Sequence, residues 1–248
     1  TFLGYRDYAV TPSDDGPAHE AELPLADGSG QGVLRDDSVT VFDGLRHFAT
    51  LPPDVQAFLR APRSLMVTKG NRESTVHRPV ALDVVLVKRF DDKGRVAGER
   101  LFVGLFTSAA YNRSPRQIPF LRRKVAAVLA RAGFDPRSHD GKGLVNILET
   151  YPRDELFQID VDELFDIAMG VVHLQERQRL ALFIRRDPFE RFASCLVYVP
   201  RDRYDTALRL RFQRILEEAL RGRLQAYYTQ VADGALARLH FIIATEPG

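Results

Sequence analysis

A proline placed directly after a helical pattern divides this chain more sharply than any other feature. The stretch 139–159 carries apolar residues at helical spacing, which predict a short helix with one apolar face: Leu144, Ile147, Leu148 and Tyr151. Pro152 ends that helix near Tyr151, because the residue before a proline is biased away from the helical region. The stretch therefore predicts a hinge, with one mixed domain before it and another after it.

The segment before the hinge favours strands joined by turns. The longer strand-like runs cover residues 1–10, 64–69, 81–90 and 100–107, and shorter candidates cover 33–34 and 39–42. Residues 11–32 form a polar loop, and Pro52 and Pro53 suit the first turn of a short helix that ends near Leu59. Asp91 to Gly94 supplies turn chemistry between the last two strands. We predict an α+β domain over residues 1–111, with an antiparallel sheet of the PAS or GAF type. Periodicity alone leaves both types open.

Three helices are predicted over residues 112–176. Ser114 and Pro115 begin the first of them and Gly133 closes it. Its basic residues are expected largely on the face opposite the apolar one: Arg122, Arg123, Lys124 and Arg131. The hinge helix follows, and Asp160 caps the third helix, with Glu163 completing a capping box. We interpret the three helices as a connector that packs on both neighbours.

The remaining residues, 177–248, predict a second domain with an antiparallel sheet. Strands at 180–184 and 193–199 precede an amphipathic helix at 206–221, and strands at 224–231 and 236–245 follow it. Six residues of this helix are expected to face inward: Leu208, Phe212, Ile215, Leu216, Ala219 and Leu220. The order β-β-α-β-β, after the Asp160 helix, is compatible with a ferredoxin-like domain of the ACT type. The usual order there is β-α-β-β-α-β, so the leading strand is either missing or replaced by the final one.

Composition excludes several classes of protein. A formal net charge of +2 lacks the concentrated basic excess typical of nucleic-acid binders. No apolar run approaches the roughly 20 residues that span a bilayer, so we predict neither a nucleic-acid nor a membrane partner. The single cysteine, Cys195, cannot form an intramolecular disulfide, which favours a reducing compartment and a cytoplasmic location.

No catalytic, cofactor-binding or metal-binding residue is predicted from the motifs. In the stretch Gly28-Ser-Gly-Gln-Gly32, Val33 stands where a dinucleotide loop needs its third glycine, and a strand follows, so the stretch favours a flexible hairpin. The six histidines contain no His-Glu-x-x-His pattern. Cys195 lies among apolar residues, which indicates a buried small hydrophobic side chain instead of a nucleophile.

Two polar stretches are candidates for binding an anionic effector. The first holds four basic residues around a turn predicted at Gly70-Asn71, namely Lys69, Arg72, His77 and Arg78. Together they can hold a carboxylate or a phosphate, although a solvated hairpin tip gives the same pattern. Arg153 in the hinge is the fifth candidate. With Asp154 and Glu155 it is alternatively part of a salt-bridge network within the connector.

Long runs of this chain resemble the large bacterial NAD-specific glutamate dehydrogenases. The runs are Glu149-Thr-Tyr-Pro-Arg-Asp-Glu-Leu-Phe157, Gly104-Leu-Phe-Thr-Ser108 and Val199-Pro-Arg-Asp-Arg-Tyr204. The resemblance is to the regulatory half that precedes the catalytic domain. It implies a parent enzyme that oxidises L-glutamate to 2-oxoglutarate and ammonia with NAD, as a cytoplasmic homo-oligomer. The family's catalytic lysine and nucleotide-binding fold are expected beyond Gly248, so no residue here is matched to them.

On this resemblance, the segment couples an amino-acid effector, or a neighbouring subunit, to a distant active site on its own catalytic domain. The strand-like start without Met favours a piece of a longer chain. The competing hypothesis is a stand-alone PAS/ACT-type sensor or dimer scaffold without catalysis. A self-contained enzyme is disfavoured, because the motifs supply no nucleophile with its base, metal set or phosphate loop.

Overall fold

The computed structural model describes residues 1–9, 29–36, 38, 39, 41, 64–176, 178–231 and 234–245. Over these residues the protein is α+β, with two antiparallel sheets, as predicted. The chain divides into two compact units, Thr1–Asn112 and Arg113–Gly248. The helices predicted as a connector therefore belong to the same compact unit as the second sheet.

The first unit is built on a sheet of order β2-β1-β5-β4-β3. Its elements are β1 (Phe2–Ala9), β2 (Gln31–Gly32), β3 (Leu65–Glu73), β4 (Ala81–Phe90), β5 (Val96–Gly104) and helix α1 (Ser108–Asn112). The three strands predicted as an antiparallel set, β3, β4 and β5, do pair in that way. Alternate apolar side chains along β4 and β5 are buried, as a sheet with one covered face requires.

One strand prediction in this unit is wrong, and the bounds of another differ from those observed. Val33-Leu34 is a turn. The strand lies two residues earlier, at Gln31–Gly32, and pairs with Gly4 and Tyr5. Gly32 has a φ of +63° and its backbone lies against Leu3, where a Cβ would approach the carbonyl oxygen to 2.1 Å. The strand predicted at 100–107 occupies Val96–Gly104. The candidate strand at 39–42 lies mostly, and the candidate helix at 51–59 wholly, outside the described residues.

Four helices open the second unit. They are α2 (Pro119–Ala132), α3 (His139–Thr150), α4 (Arg153–Gln158) and α5 (Val161–Glu176). Ser114 caps a short 3-10 turn instead of α2 itself, and Gly133 ends α2 with a left-handed φ of 66°. The Asp160 carboxylate accepts a hydrogen bond from the Glu163 amide at 2.8 Å, as a capping residue does. The hinge helix ends before Pro152, as predicted.

Lys124 is not on the outer face of α2, where the sequence placed it. It lies three residues after Leu121 and four before Val128, both of which are buried. Lys124 therefore lies on the same face of the helix as these two residues. The side chain is buried and its charge is satisfied by backbone carbonyls. Helical spacing therefore outweighs the expectation that a lysine faces solvent.

The second sheet has the order β6-β7-β9-β8. Its strands are β6 (Ala181–Arg186), β7 (Phe192–Pro200), β8 (Arg223–Val231) and β9 (Leu236–Ala244), with helix α6 (Thr206–Ala219) between β7 and β8. β9 lies between β7 and β8, which is the central place that the leading strand holds in a ferredoxin-like sheet. Of the two alternatives left open by the sequence, replacement by the final strand is therefore the one observed.

Helices cover both faces of this sheet. α6 packs on a core that contains Cys195, Leu239 and Phe241. α5 approaches the opposite face closely at Gly170, where a Cβ would lie 2.6 Å from the ring of Phe183. This arrangement differs from the ferredoxin-like fold, in which both helices lie on one face.

α6 covers only part of the sheet face on which it packs. Just before and along β6, three apolar side chains are 56%, 47% and 43% exposed: Leu180, Leu182 and Ile184. A groove of about 640 Å³ lies beside α6, and Leu180, Val199 and Ile215 are among the residues that line it. Ile215 is 51% exposed and Ala219 is also exposed, so their inward placement was wrong. For Ile215 the reason is that it faces this groove.

Candidate functional site

The short helix α4 is locked to the second sheet by a buried ion pair. Both carboxylate oxygens of Glu155 accept hydrogen bonds from Arg185 of β6, from Nε at 2.7 Å and from Nη2 at 2.9 Å. The side chains of Glu155 and Arg185 are only 2% and 3% exposed. A two-point contact between a planar guanidinium and a carboxylate fixes orientation as well as distance. α4 and β6 are therefore held in one relative position.

The electrostatics of the pair keep both groups charged. Burial alone raises the pKa of a carboxyl group, because the charged form loses its hydration. For Glu155 the adjacent Arg185 guanidinium outweighs burial, and the pKa of the carboxyl lies below its ordinary value. Burial likewise disfavours the charged guanidinium, but Glu155 raises the pKa of Arg185 overall. The pair contributes stability at neutral pH that is lost as the pH falls through the lowered pKa of Glu155.

The other end of α4 is held by a second buried cation. Nζ of Lys124 on α2 donates hydrogen bonds to the carbonyl oxygens of Leu156 at 3.0 Å, of Phe157 at 2.9 Å and of Ile159. The last carbonyls of a helix have no partner within the helix, and a cation there also complements the helix dipole. α4 is thus anchored at one end to the sheet and at the other to the helices. We refer to Glu155, Arg185, Lys124 and α4 as the α4 joint.

A buried polar pair lies on the same face of the sheet as Arg185. The hydroxyl of Ser194 and Nε2 of His240 are 2.8 Å apart. Burial lowers the pKa of His240. The negative charge of Glu155 raises it, but by less, so the pKa stays below its ordinary value. Both side chains are closed to solvent. This pair therefore adds hydrogen bonds to the core beside the joint and offers no open site for a substrate.

Two of the predicted effector residues meet in the first unit. Lys69 forms an ion pair with Asp83 at 2.6 Å, and its Nζ lies 3.5 Å from the hydroxyl of Tyr111. The guanidinium of Arg78 lies 5.3 Å from the centre of the Tyr111 ring and donates a hydrogen bond to the carbonyl of Phe106 at 3.3 Å. Lys69 and Arg78 are therefore brought to one aromatic side chain, with an acidic group already beside the lysine.

The turn predicted at Gly70-Asn71 is not present, because β3 continues through both residues to Glu73. A Cβ on Gly70 would lie 3.1 Å from a methyl group of Val41, and the amide of Asn71 donates to the carbonyl of Val41 at 2.9 Å. Gly70 thus permits close packing inside a strand. The chain reverses further on, where Ser74 bonds to the backbone of Val76.

The remaining three candidates are Arg72, His77 and Arg153. Arg72 and His77 are exposed, and His77 has a left-handed φ of 63°. Arg153 belongs to the second unit, where it begins α4 and donates a hydrogen bond to the carbonyl of Arg113 at 3.0 Å. Of the two acidic residues that follow Arg153 in the sequence, Glu155 forms the buried ion pair with Arg185. Arg185, the partner of Glu155, was not among the predicted residues; it lies 30 residues further along the chain.

Cys195 is predicted to be unreactive in the native state. Its side chain is fully buried beneath α6, which confirms the burial predicted from the sequence, and burial raises the pKa of the thiol to about 12. A thiol reagent such as DTNB needs the thiolate and access to it. We expect labelling of the native chain to be slower than that of the urea-unfolded chain by about a hundredfold or more, in line with the rarity of unfolding. Equal labelling rates would contradict this placement.

The described residues offer neither a metal cluster nor a membrane-spanning helix. Among them, no group of three or more His, Cys, Asp or Glu side chains has the geometry to hold a metal ion. None of their helices is long and apolar enough to cross a bilayer.

Comparison with known families matches both halves of the second unit. Residues 118–177 match the model for glutamate dehydrogenase, helical motif 1, and residues 181–248 match the model for the glutamate dehydrogenase ACT2 domain. The α4 joint thus lies where a helical motif meets an ACT domain. The second unit is defined by this pairing of a helical motif with an ACT domain.

Whole-chain comparison gives the same family. The chain is 43% identical over 243 residues to the NAD-specific glutamate dehydrogenase of Halomonas elongata, and 41% identical over 251 residues to that of Pseudomonas aeruginosa. These matches cover 98% and 100% of this chain but 15% of each relative. The enzyme of Mycobacterium tuberculosis is 41% identical over 145 residues, which is 58% of this chain and 9% of that protein. This chain belongs to the family of NAD-specific glutamate dehydrogenases and spans a small part of such a protein's length.

Among solved structures, a histidine kinase in complex with a response regulator aligns with 99% of this chain and 96% of its own. The TM-score is 0.26 and the identity 11%. That similarity is too low to indicate a shared fold.

Proposed function

We propose that this chain is a regulatory and oligomerisation segment of an NAD-dependent glutamate dehydrogenase and carries no catalytic residues itself. The parent enzyme would convert L-glutamate and NAD to 2-oxoglutarate, ammonia and NADH in the cytoplasm. NAD would bind to the catalytic domain of the parent and not to this segment. The partners of the segment would be that catalytic domain and other subunits of a homo-oligomer.

The observation that carries this proposal is the match to a helical motif and an ACT domain of this family. The two are joined by the buried ion pair of the α4 joint. Buried ion pairs are a costly way to gain stability, and their best-attested use is to select one arrangement of the elements they join. Glu155 and Arg185 select one arrangement of α4 and β6. A shift of the sheet would therefore be passed to α2 and α4 as a movement of rigid elements.

The effector would be a small anion of the amino-acid class. The first residues to test remain Lys69, Arg72, His77 and Arg78, together with Arg153 in α4. Lys69 and Arg78 support a carboxylate site best, because both contact Tyr111. Asp83 occupies one side of the Lys69 ammonium group, so a bound carboxylate would have to share that lysine or displace Asp83.

A stand-alone sensor or dimer scaffold is the alternative. The uncovered apolar part of β6 supports a docking role of that kind, because a patch of large exposed apolar side chains commonly marks an interaction site. On this alternative the segment would act without an associated dehydrogenase.

A thermal-shift screen of this chain tests the regulatory proposal, with single amino acids, 2-oxoglutarate, NAD and nucleotides as ligands. A ligand that binds only the native state adds about 2.7 kcal/mol of stability at a hundredfold excess over its Kd. We expect an amino acid to raise the Tm of the wild type, and Lys69→Met or Arg78→Met to abolish the shift. Arg123→Met, an exposed change on α2, is the control. Stabilisation by NAD alone, or by no compound in the screen, would contradict effector sensing by this segment.

A further inference from the structure

The face of the second sheet that carries α6 has room for a second helix. A four-stranded sheet is about 19 Å wide, at about 4.8 Å for each strand, whereas a helix with its side chains is about 10–12 Å wide. One helix therefore covers little more than half of such a face. α6 lies nearest to β8 and β9, so the part left open lies over β6, at the far edge of the sheet.

The open part of this face is apolar. Leu182 and Ile184 of β6 pair with Val197 and Cys195 of β7, and these two β7 residues belong to the core beneath α6. Leu182 and Ile184 therefore point to the side of the sheet that carries α6, where they are 47% and 43% exposed. Groups of large exposed apolar side chains commonly mark interaction sites.

The groove beside α6 adds to this apolar surface. Leu180, just before β6, lines the groove together with Phe212 and Ile215 of α6. Leu180 and Ile215 are both more than half exposed. An elongated partner that rested in the groove and extended along β6 would remove these side chains, and those of Leu182 and Ile184, from water.

Basic side chains from three separate parts of the chain line the same groove. Arg179 precedes β6, Arg203 belongs to the 3-10 turn after β7, and Arg211 lies on α6 four residues before Ile215. All three arginines are exposed, and within the described part of the chain none of them forms an ion pair with an acidic side chain. Asp202 is the single acidic residue among those that line the groove. Electrostatic complementarity therefore favours a partner that carries acidic groups.

We propose that this groove and the open side of β6 receive an α-helix from another part of the parent polypeptide, with an apolar stripe toward the sheet and acidic side chains toward the arginines. A helix fits the width left free beside α6, and an amphipathic helix in an apolar groove is a common form of recognition. This chain spans 15% of each of two relatives, so most of such a polypeptide lies outside this segment. Attachment to the same polypeptide raises the local concentration of the helix. The inference rests on the proposed function, in which this chain is a segment of a parent dehydrogenase.

A helix docked there would lie on the strand that carries the α4 joint. Neighbouring residues of a strand point to opposite faces of its sheet. Ile184 would therefore contact the docked helix, while Arg185, on the other face, binds Glu155. The docked helix and α4 would then be linked through the backbone of one strand.

Fluorescence anisotropy of this chain with two labelled peptides tests the chemistry of the groove. The first peptide is a designed amphipathic helix with leucine at i, i+3, i+4 and i+7 and glutamate elsewhere, and the second has lysine in place of each glutamate. We expect the glutamate peptide to bind, and the lysine peptide to bind at least about tenfold more weakly. Arg211→Glu should weaken binding of the glutamate peptide by about tenfold or more, whereas Arg214→Glu, an exposed change on α6 outside the groove, should leave its Kd unchanged. Binding of neither peptide, equal binding of both, or wild-type affinity in Arg211→Glu would overturn an acidic helix as the occupant.

Thiol footprinting tests the source of the helix. Ile184→Cys places an exposed thiol on β6, and Cys195 is buried, so alkylation followed by mass spectrometry reports on position 184. We expect Ile184→Cys to react at least about tenfold more slowly in the proposed full-length enzyme than in this chain alone, while Arg214→Cys reacts equally in both. Equal rates for Ile184→Cys, or protection that is lost when the full-length enzyme is diluted to single subunits, would overturn a helix from the same polypeptide. Equal rates together with a thermal shift from an amino acid would overturn only this docking and leave the regulatory proposal standing.

Discussion

Replacing Arg185 by methionine is expected to lower the free energy of unfolding by about 3–5 kcal/mol. The change keeps much of the side-chain volume but leaves Glu155 buried without the guanidinium that binds both of its oxygens. An uncompensated buried charge is among the largest single costs in a folded protein. Urea unfolding followed by circular dichroism measures the loss.

Two further variants separate the missing partner from the missing side chain. Arg186→Met changes the next residue of β6, which is exposed, and should stay within about 0.5 kcal/mol of the wild type. The double variant Glu155→Met/Arg185→Met removes both charges and should be closer in stability to the wild type than Arg185→Met is, because a buried pair can often be replaced by apolar groups. Losses that simply add in the double variant would contradict a coupled pair.

Lys124→Met is expected to cost about 3 kcal/mol, because it removes the donor to three buried backbone carbonyls and each unsatisfied buried group costs about 1–3 kcal/mol. Methionine retains the apolar stem of the lysine, so the loss reports the ammonium group and not the packing. The same urea titration measures it, and hydrogen exchange should show faster opening of α4.

Arg123→Met is the control for this position, since Arg123 is the neighbouring residue of α2 and is exposed. It should stay within about 0.5 kcal/mol of the wild type. Equal stability of Lys124→Met and Arg123→Met would show that the three carbonyls find other partners and that Lys124 does not anchor α4.

Periodicity predicted the elements of this protein well where each element has one covered face. The strand over residues 81–90 was predicted with its observed bounds, because its alternation reflects one buried face. The hinge helix and its end before Pro152 followed from local rules that act within a few residues. The place of β9 at the centre of the second sheet was only one of two alternatives, since strand order depends on pairing between distant residues.

The α4 joint was only partly accessible from the sequence. Glu155 was recognised as a member of a network in the connector, but Arg185 lies 30 residues away on a strand. Lys124 sits on the helical stripe of Leu121 and Val128, and that spacing was a usable signal. The lysine was nevertheless expected at the surface, because lysine is rarely buried unless its charge is paired. The turn predicted at Gly70-Asn71 failed for a related reason, since a glycine can serve close packing as well as a turn.

Steady-state kinetics of the proposed full-length dehydrogenase test the central claim most directly. The comparison is between the wild type and Glu155→Met/Arg185→Met, a pair that touches neither glutamate nor NAD in the proposed arrangement. If the α4 joint passes the state of the ACT domain to the catalytic domain, the variant should fold and bind the effector, yet lose its response in kcat or KM. A folded variant with the same effector response as the wild type would contradict that coupling.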